Sequence, residues 1–455
     1  MIRVESDFIG ELEIPTDAYY GIQSLRAKEN FNITGRVLHS QMIISLAKVK
    51  KAAAMSNRGE LPDEKADAII IACDEIIDGK LHEYFIVDSV QGGAGTSANM
   101  NANEVIANRA NEILGGNKGE YDMVHPNDHV NMCQSTNDVF PTAGKITLLV
   151  LVKDLLKELE ILEVALSNKA EEFYDVIKMG RTQLQDAVPI RLGQEFGAYA
   201  KAIKRDIKRI INASAELKTI NMGGTAVGTM INASDKYLSE ITGNLIEVTG
   251  INLQMADDLV DGTQNQDAVV SFSGALKTCV VNLSKIANDL RLMSSGPKTG
   301  MGEINLPKKQ HGSSIMPGKV NPVIPEVVSQ IAFEIIGNDV TVTMAAEAGQ
   351  LELNAFEPIA FYNLFNSLEM MTRGIETFVD NCIVDITANR QRCKDLLYSS
   401  ASLATALCPH IGYKKSCEIA KEAMNTGLSV KDIAKSEGIL DASLLDKILD
   451  VECLV

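Results

Sequence analysis

The chain has 455 residues, 45 % hydrophobic and 23 % charged, with a formal net charge of −17. That length suits two or three domains around a large core, and the acidic balance argues against nucleic acid as a partner. No apolar run approaches the roughly 18 residues of a membrane span, and the N-terminal Met1–Asp7 carries early acids instead of an apolar signal core, so the expected location is the cytoplasm.

Aromatic residues are only 5 % and Trp is absent, so Ala, Ile, Leu, Val and Met must fill the core, as in helix-on-helix packing. The eight cysteines (73, 133, 279, 382, 393, 408, 417, 453) are scattered without a Cys-x-x-Cys and read as reduced thiols.

Residues 1–40 are mixed, with 10–15 and 18–23 reading as short extended pieces and turns. From Gln41 the period becomes helical, with Met42, Ile43, Leu46, Val49 and Ala53 three and four apart. A second helix covers 66–77, after Pro62. Gly93-Ala94-Gly95-Thr96-Ser97-Ala98 fits the loose dinucleotide pattern, but no apolar strand follows the helix predicted over 103–114, which argues against nicotinamide binding. A glycine loop feeding a helix N-terminus still suits a carboxylate.

His125, Asp128 and His129 follow, a spacing open to a metal, a second anion site or structural hydrogen bonding. Pro126 argues against both histidines on one helix face, and no metal site is assigned. Gln134-Ser135-Thr136-Asn137-Asp138 is a helix-capping cluster whose hydroxyls and amides also suit an anion. From Val139 to about Leu292 the chain reads as very long helices, with stripes such as Leu155, Leu159, Leu162 and Leu166. Residues 180–189 and 222–229 interrupt them as polar breaks. Helices resume after residue 322 and continue to about Ile386; residues 390–455 carry shorter ones. The expected division is an N-terminal mostly helical domain over 1–137, a central helix bundle over 138–389 and a small C-terminal helical domain over 390–455.

The most constrained stretch is Gly312-Ser313-Ser314-Ile315-Met316-Pro317-Gly318-Lys319-Val320-Asn321-Pro322. It sets two hydroxyls, a lysine and an amide among residues that impose unusual backbone geometry. It is not a phosphate-binding P-loop: five residues separate the glycines where four are needed, and Val320 follows the lysine. Two readings stay open, an ordered turn before a helix and a hydroxyl-bearing anion-binding loop.

Taken together, these segments resemble the aspartase/fumarase superfamily. Gly312–Pro322 matches every fixed position of its signature Gly-Ser-Ser-x-Met-Pro-x-Lys-x-Asn-Pro, and Gly95-Thr96-Ser97, Gln134–Asp138 and Gly180-Arg181-Thr182 are similar to its other site segments. The resemblance spans nearly the whole chain. It implies a mainly α, three-domain fold with a central five-helix bundle. It also implies a homotetramer with a twenty-helix core, whose active sites draw segments from three subunits.

Within the superfamily the chain is most similar to the branch that eliminates ammonia from L-aspartate. Ala18–Gln23 and Met344–Gln350 resemble that branch, and Gln183 stands where class II fumarate hydratases, the alternative reading, carry His. The implied reaction is reversible conversion of L-aspartate to fumarate through an enediolate. The resemblance assigns Ser313 as general base; Thr96, Ser135, Thr136 and Ser314 to the reacting carboxylate; Lys319 and Asn321, with Thr182 nearby, to the other carboxylate; and Asn137 and Gln183 to the amine. It implies no organic cofactor, with activation by a divalent cation such as Mg known in some relatives.

Overall fold

A computed structural model describes residues 1–455. Strands β1 (Ile2–Ser6) and β2 (Glu11–Pro15) pair antiparallel, from Ile2 opposite Pro15 to Ser6 opposite Glu11. Helices α1 (Ile22–Asn30), α2 (Ser40–Ser56), α3 (Asp63–Ile77) and α4 (Thr96–Ile113) follow, then the 37-residue α5 (Thr136–Glu172). Strands β3 (Ile177–Thr182) and β4 (Gln185–Arg191) form an antiparallel hairpin leading into α6 (Leu192–Glu216). Next come β5 (Thr219–Ile220), α7 (Asp235–Thr249), β6 (Gln254–Met255), α8 (Leu259–Gln264) and α9 (Asp267–Met293), with β5 and β6 parallel. The chain ends with β7 (Ile304–Asn305), α10 (Val323–Glu347), α11 (Glu357–Asn381), β8 (Thr387–Ala388), α12 (Arg390–Ser399), α13 (Cys408–Ile411), α14 (Tyr413–Thr426), α15 (Val430–Ser436) and α16 (Ala442–Ile448). No helix is long and apolar enough to cross a membrane.

Two compact units result. The first holds Met1–Leu156, Lys208–Thr278 and Phe333–Met371; the second holds Lys157–Ile207, Cys279–Ala332 and Thr372–Val455. The five helices α5, α6, α9, α10 and α11 contribute residues to both.

In the first unit, Ile43, Leu46, Val49 and Ala53 of α2 are buried together with Ile69, Ala72 and Ile76 of α3, the faces the 3.6-residue period marks. Helix α4 is built differently. Asn99, Asn101, Asn103, Asn108 and Asn111 are all at most 1 % exposed, so its inner face is polar. These amides hold loop backbone: Asn101 donates to Tyr84 O at 2.9 Å, Asn108 to Tyr19 O at 2.8 Å, and Asn111 to Val124 O at 2.6 Å. Glu104 on the same helix accepts from the Gly21, Gln23 and Ser24 amides at 2.8, 2.8 and 3.1 Å, filling orphan donors at the start of α1. Burial outweighs these bonds and pushes its carboxyl up to about 7. The helix expected over 103–114 begins seven residues earlier, at Thr96. Asparagine is a poor helix former; here tertiary hydrogen bonds, which local propensity does not register, fix those residues in the helix.

Glu357, at the start of α11, is 2 % exposed. Burial pushes its carboxyl up to about 8, against the charge of Lys145 and a hydrogen bond from Gln266 Nε2 at 2.5 Å. A carboxyl raised in the folded state makes the native protein bind the extra proton, so its contribution is present below pH 4.5 and is lost as pH rises to about 8. Glu357→Gln should therefore flatten the fall in stability across that window, read by urea unfolding at several pH values; an unaltered slope would contradict it.

In the second unit, Lys178 of β3 is 2 % exposed. Its Nζ meets Glu195 at 2.9 Å and Glu303 at 2.8 Å, and Arg181 Nη1 meets the fully buried Glu303 at 2.7 Å. Losing one member of such a buried set costs about 3–5 kcal/mol, because the partner charge is left uncompensated. Residues 180–189, expected as a break between helices, thus form an anchored hairpin. Its strands are short and hold Gly180 and Pro189, so a two-residue period was scarcely visible. Between α6 and α9, Tyr199 donates to Asp289 at 2.8 Å and Asn282 to Asp206 at 2.8 Å. The C-terminal helices gather around Leu397, Leu407, Ile419, Ile433 and Leu445, with Met179 of β3 packed among them. Residues 408–411 form the one-turn helix α13, ended by Gly412 at φ +79°.

Candidate active site

The site residues expected from sequence fall into two groups, one in each unit. In the first unit, Gly95 (φ +89°) precedes Thr96 at the start of α4. A side chain on Gly95 would lie 2.3 Å from the Phe140 ring, so glycine lets the start of α4 close against α5. Thr96 is exposed, and its Oγ1 donates to Gly93 O at 2.7 Å.

Ser135, Thr136 and Asn137 open α5, where capping and ligand-holding chemistry coincide. Ser135 Oγ accepts from the Asn137 amide at 3.2 Å, and the Ser135 amide donates to Asp138 Oδ1 at 3.0 Å, a reciprocal cap. Asp138 Oδ2 also accepts from the Gly223 and Thr225 amides, at 3.2 and 3.0 Å. The interruption at 222–229 is thereby tied to this helix start. Burial pushes the Asp138 carboxyl up to about 6, opposed by these backbone bonds.

Pro141 lies inside α5 and cannot donate to the carbonyl four residues back, that of Asn137. Asn221 Nδ2 fills the gap, donating to Asn137 O at 2.9 Å. The Asn137 side chain is also fixed: its Nδ2 donates to Ala226 O at 2.7 Å. A carbonyl can only accept, so Asn137 must face it with nitrogen and turn Oδ1 away as an acceptor. An acceptor there suits an ammonium.

In the second unit, Thr182 and Gln183 sit at the tip of the β3–β4 hairpin. Gln183 and Leu184 have φ of +53° and +64°. Two left-handed residues match the twist of a two-residue hairpin turn, yet neither is glycine. This unfavourable conformation is held by the Lys178–Glu195–Glu303–Arg181 anchor beneath.

The serine loop is closed at its base. The Gly312 amide donates to Lys319 O at 2.9 Å and Asn321 Nδ2 donates to Gly312 O at 2.8 Å. A side chain on Gly312 would lie 2.6 Å from Lys319 O. Within the loop, Ser313 Oγ accepts from the Ile315 and Met316 amides, at 3.2 and 3.0 Å. Two backbone donors on one hydroxyl oxygen favour its ionised form. Ser314 and Lys319 are exposed, so the Lys319 charge is open to a ligand. One Asn321 amide hydrogen is spent on the loop and the other is available to a ligand.

His125 and His129 are held in local hydrogen bonds. His129 Nδ1 accepts from the His125 amide at 2.8 Å and its Nε2 lies 3.2 Å from Lys65 Nζ, while His125 Nδ1 accepts from the Asn127 and Asp128 amides. Nowhere do three or more His, Cys, Asp or Glu side chains gather as they would around a metal ion.

Sequence reasoning missed the residues behind the site: Lys50, Asn99, Asn131, Asn221 and Glu303. A signal existed for the first two, a lysine amid the apolar stripe of α2 and asparagines recurring along α4.

A mainly helical chain with hydroxyls at two helix starts and a serine loop rich in backbone donors has the parts a lyase needs to stabilise a developing carboxylate charge. The family models agree, one described as "Lyase" matching residues 10–337 and one described as "Fumarase C C-terminus" matching 403–455. The chain belongs to the aspartase/fumarase superfamily. It is 55 % identical to an aspartate ammonia-lyase of Bacillus subtilis, over 98 % of this chain and 95 % of that one. With the aspartate ammonia-lyase of Escherichia coli it shares 47 %, over 100 % and 96 %. Among solved structures, a fumarate lyase:delta crystallin from Brucella melitensis bound to cobalt matches with a TM-score of 0.97 at 52 % identity, covering 100 % of both chains. A class II fumarase from Schistosoma mansoni matches at 0.96 and 35 %, covering 99 % and 98 %.

Proposed function

We propose that this lyase is an L-aspartate ammonia-lyase, converting L-aspartate reversibly to fumarate and ammonia. The observation that carries the reading is Ser313, whose oxygen meets two backbone amides in a loop that also presents Lys319. Deprotonated, it takes the proton from the carbon beside a carboxylate. The electron pair moves into that carboxylate, giving a doubly negative enediolate, and the C–N bond then breaks to release ammonia. Thr96, Ser135, Thr136 and Ser314 donate to the carboxylate where charge develops. Lys319 and Asn321, with Thr182, hold the other one.

Asn137 Oδ1 and Gln183 receive the ammonium. Ammonia leaves neutral from an ammonium, so no acid is needed at position 183. Hydroxide is a poor leaving group, and a hydratase would need one. Fumarate absorbance from aspartate, against that from malate, tests this: product from aspartate is expected, and product from malate alone would overturn it.

The reading includes a homotetramer with sites shared between subunits. In its support, α10 carries large apolar side chains at its surface, with Phe333, Val340 and Met344 65, 54 and 65 % exposed in the single chain. It also includes the three-domain division at 137/138 and 389/390 and a cytoplasmic location. The family is consistent with chemistry that uses no organic cofactor. For divalent-cation activation the side chains supply no ready cluster of ligands.

A further inference from the structure

Behind the start of α5 lies a chain of polar side chains with a direction. Lys50 of α2 is fully buried, yet its Nζ donates to Asn131 Oδ1 at 2.8 Å and to Gln134 Oε1 at 2.9 Å. Asn131 cannot turn over, because Lys50 offers only donors and because Asn131 Nδ2 is engaged with Gln134 O at 3.2 Å. Its oxygen therefore stays toward the lysine.

That same oxygen accepts from Asn99 Nδ2 and Asn103 Nδ2, each at 3.2 Å. Asn99 is thus obliged to present nitrogen, and the nitrogen's other hydrogen goes to Thr136 Oγ1 at 3.0 Å. Neither Asn99 Oδ1 nor Asn103 Oδ1 has a protein partner, so their own hydrogen-bonding needs do not select these orientations. The acceptor at Asn131 does.

We propose that Lys50 is a positioning residue for the reaction. Through Asn131 and Asn99 it makes Thr136 an acceptor on its inner side, so that the Thr136 hydroxyl hydrogen points outward as a donor to the reacting carboxylate. The direction runs from ammonium to amide oxygen, from amide nitrogen to hydroxyl oxygen, and from hydroxyl hydrogen to substrate. Each bond polarises the next, and burial keeps water from scrambling the order. Burial lowers the Lys50 ammonium to about 7, while the charge of Asp138 opposes the shift. The neutral amine still has two hydrogens for its two carbonyl acceptors, and Asn131 Nδ2 stays engaged with Gln134 O, so the direction is kept. The inference rests on the lyase reading only for the identity of the group that Thr136 meets.

The test is a double-mutant cycle on kcat with Lys50→Met, which removes the donor at similar length, and Thr136→Val, which removes the hydroxyl. Each single change is expected to lower kcat by roughly a hundredfold, the scale of one lost transition-state donor. The double variant should fall no further than Thr136→Val alone, because Lys50 acts through that hydroxyl. Losses that multiply, or normal kcat in a folded Lys50→Met, would overturn the proposal. A neutron crystal structure of Lys50→Met, which locates the hydrogens, supplies a readout independent of activity: the Asn99 Nδ2–H to Thr136 Oγ1 hydrogen bond should be broken or reversed, and its persistence in that direction would refute the relay. If Lys50→Met does not fold, Asn131→Ala enters the same cycle with the same two outcomes. A wild-type chain inactive on aspartate would sink the substrate assignment, while the crystallographic arm would still decide the relay.

Discussion

Ser313→Ala is expected to lose at least about a hundredfold in turnover, the scale of lost acid–base assistance. The alanine side chain has no oxygen to ionise, and the Ile315 and Met316 amides then face a methyl group. The loop itself should survive, because its base is closed by the Gly312–Lys319 and Asn321–Gly312 hydrogen bonds, which do not involve the serine. The defect should therefore fall on kcat, with binding of a non-reacting dicarboxylate such as succinate little changed. Near-normal turnover would remove Ser313 from the base role. Weak succinate binding would show instead that the substitution had disordered the loop.

Lys319→Ala should show the opposite division. Lys319 is exposed, in a protein of net charge −17, and the substrate brings two carboxylates. Removing its charge should raise KM roughly 30-fold or more, the effect of truncating one partner of a charge pair. Stability should hardly move, since the side chain is exposed and holds nothing in place. An unchanged affinity for aspartate and succinate would contradict the assignment of Lys319 to a carboxylate. Measured together, the two variants separate proton removal from substrate holding.

How legible each part was depended on whether its chemistry is local. The serine loop could be read because its glycines, hydroxyls, lysine and asparagine are contiguous, and the structure joins them by short-range hydrogen bonds. Ser135 was equally readable, as a helix cap acts within three residues. The hairpin tip was not. Gln183 and Leu184 take left-handed angles without glycine, and what holds them is an ion network running through Glu303, more than 100 residues onward.

The amino-acid order alone determined the helical class and the family, and it marked the segments proposed to carry the chemistry. All of these follow from periodicity and from motifs that are contiguous in the chain. Only the tertiary structure decided the burial of Lys50 and the way Asn137 turns its amide. Lys50 and Lys51 are adjacent and chemically identical, yet Lys51 reaches Asp74 at 2.5 Å and is partly exposed, while Lys50 is fully buried against Asn131 and Gln134. Burial and hydrogen-bond direction are set by whichever groups lie opposite. For these residues those groups come from distant parts of the chain, and no local pattern encodes them.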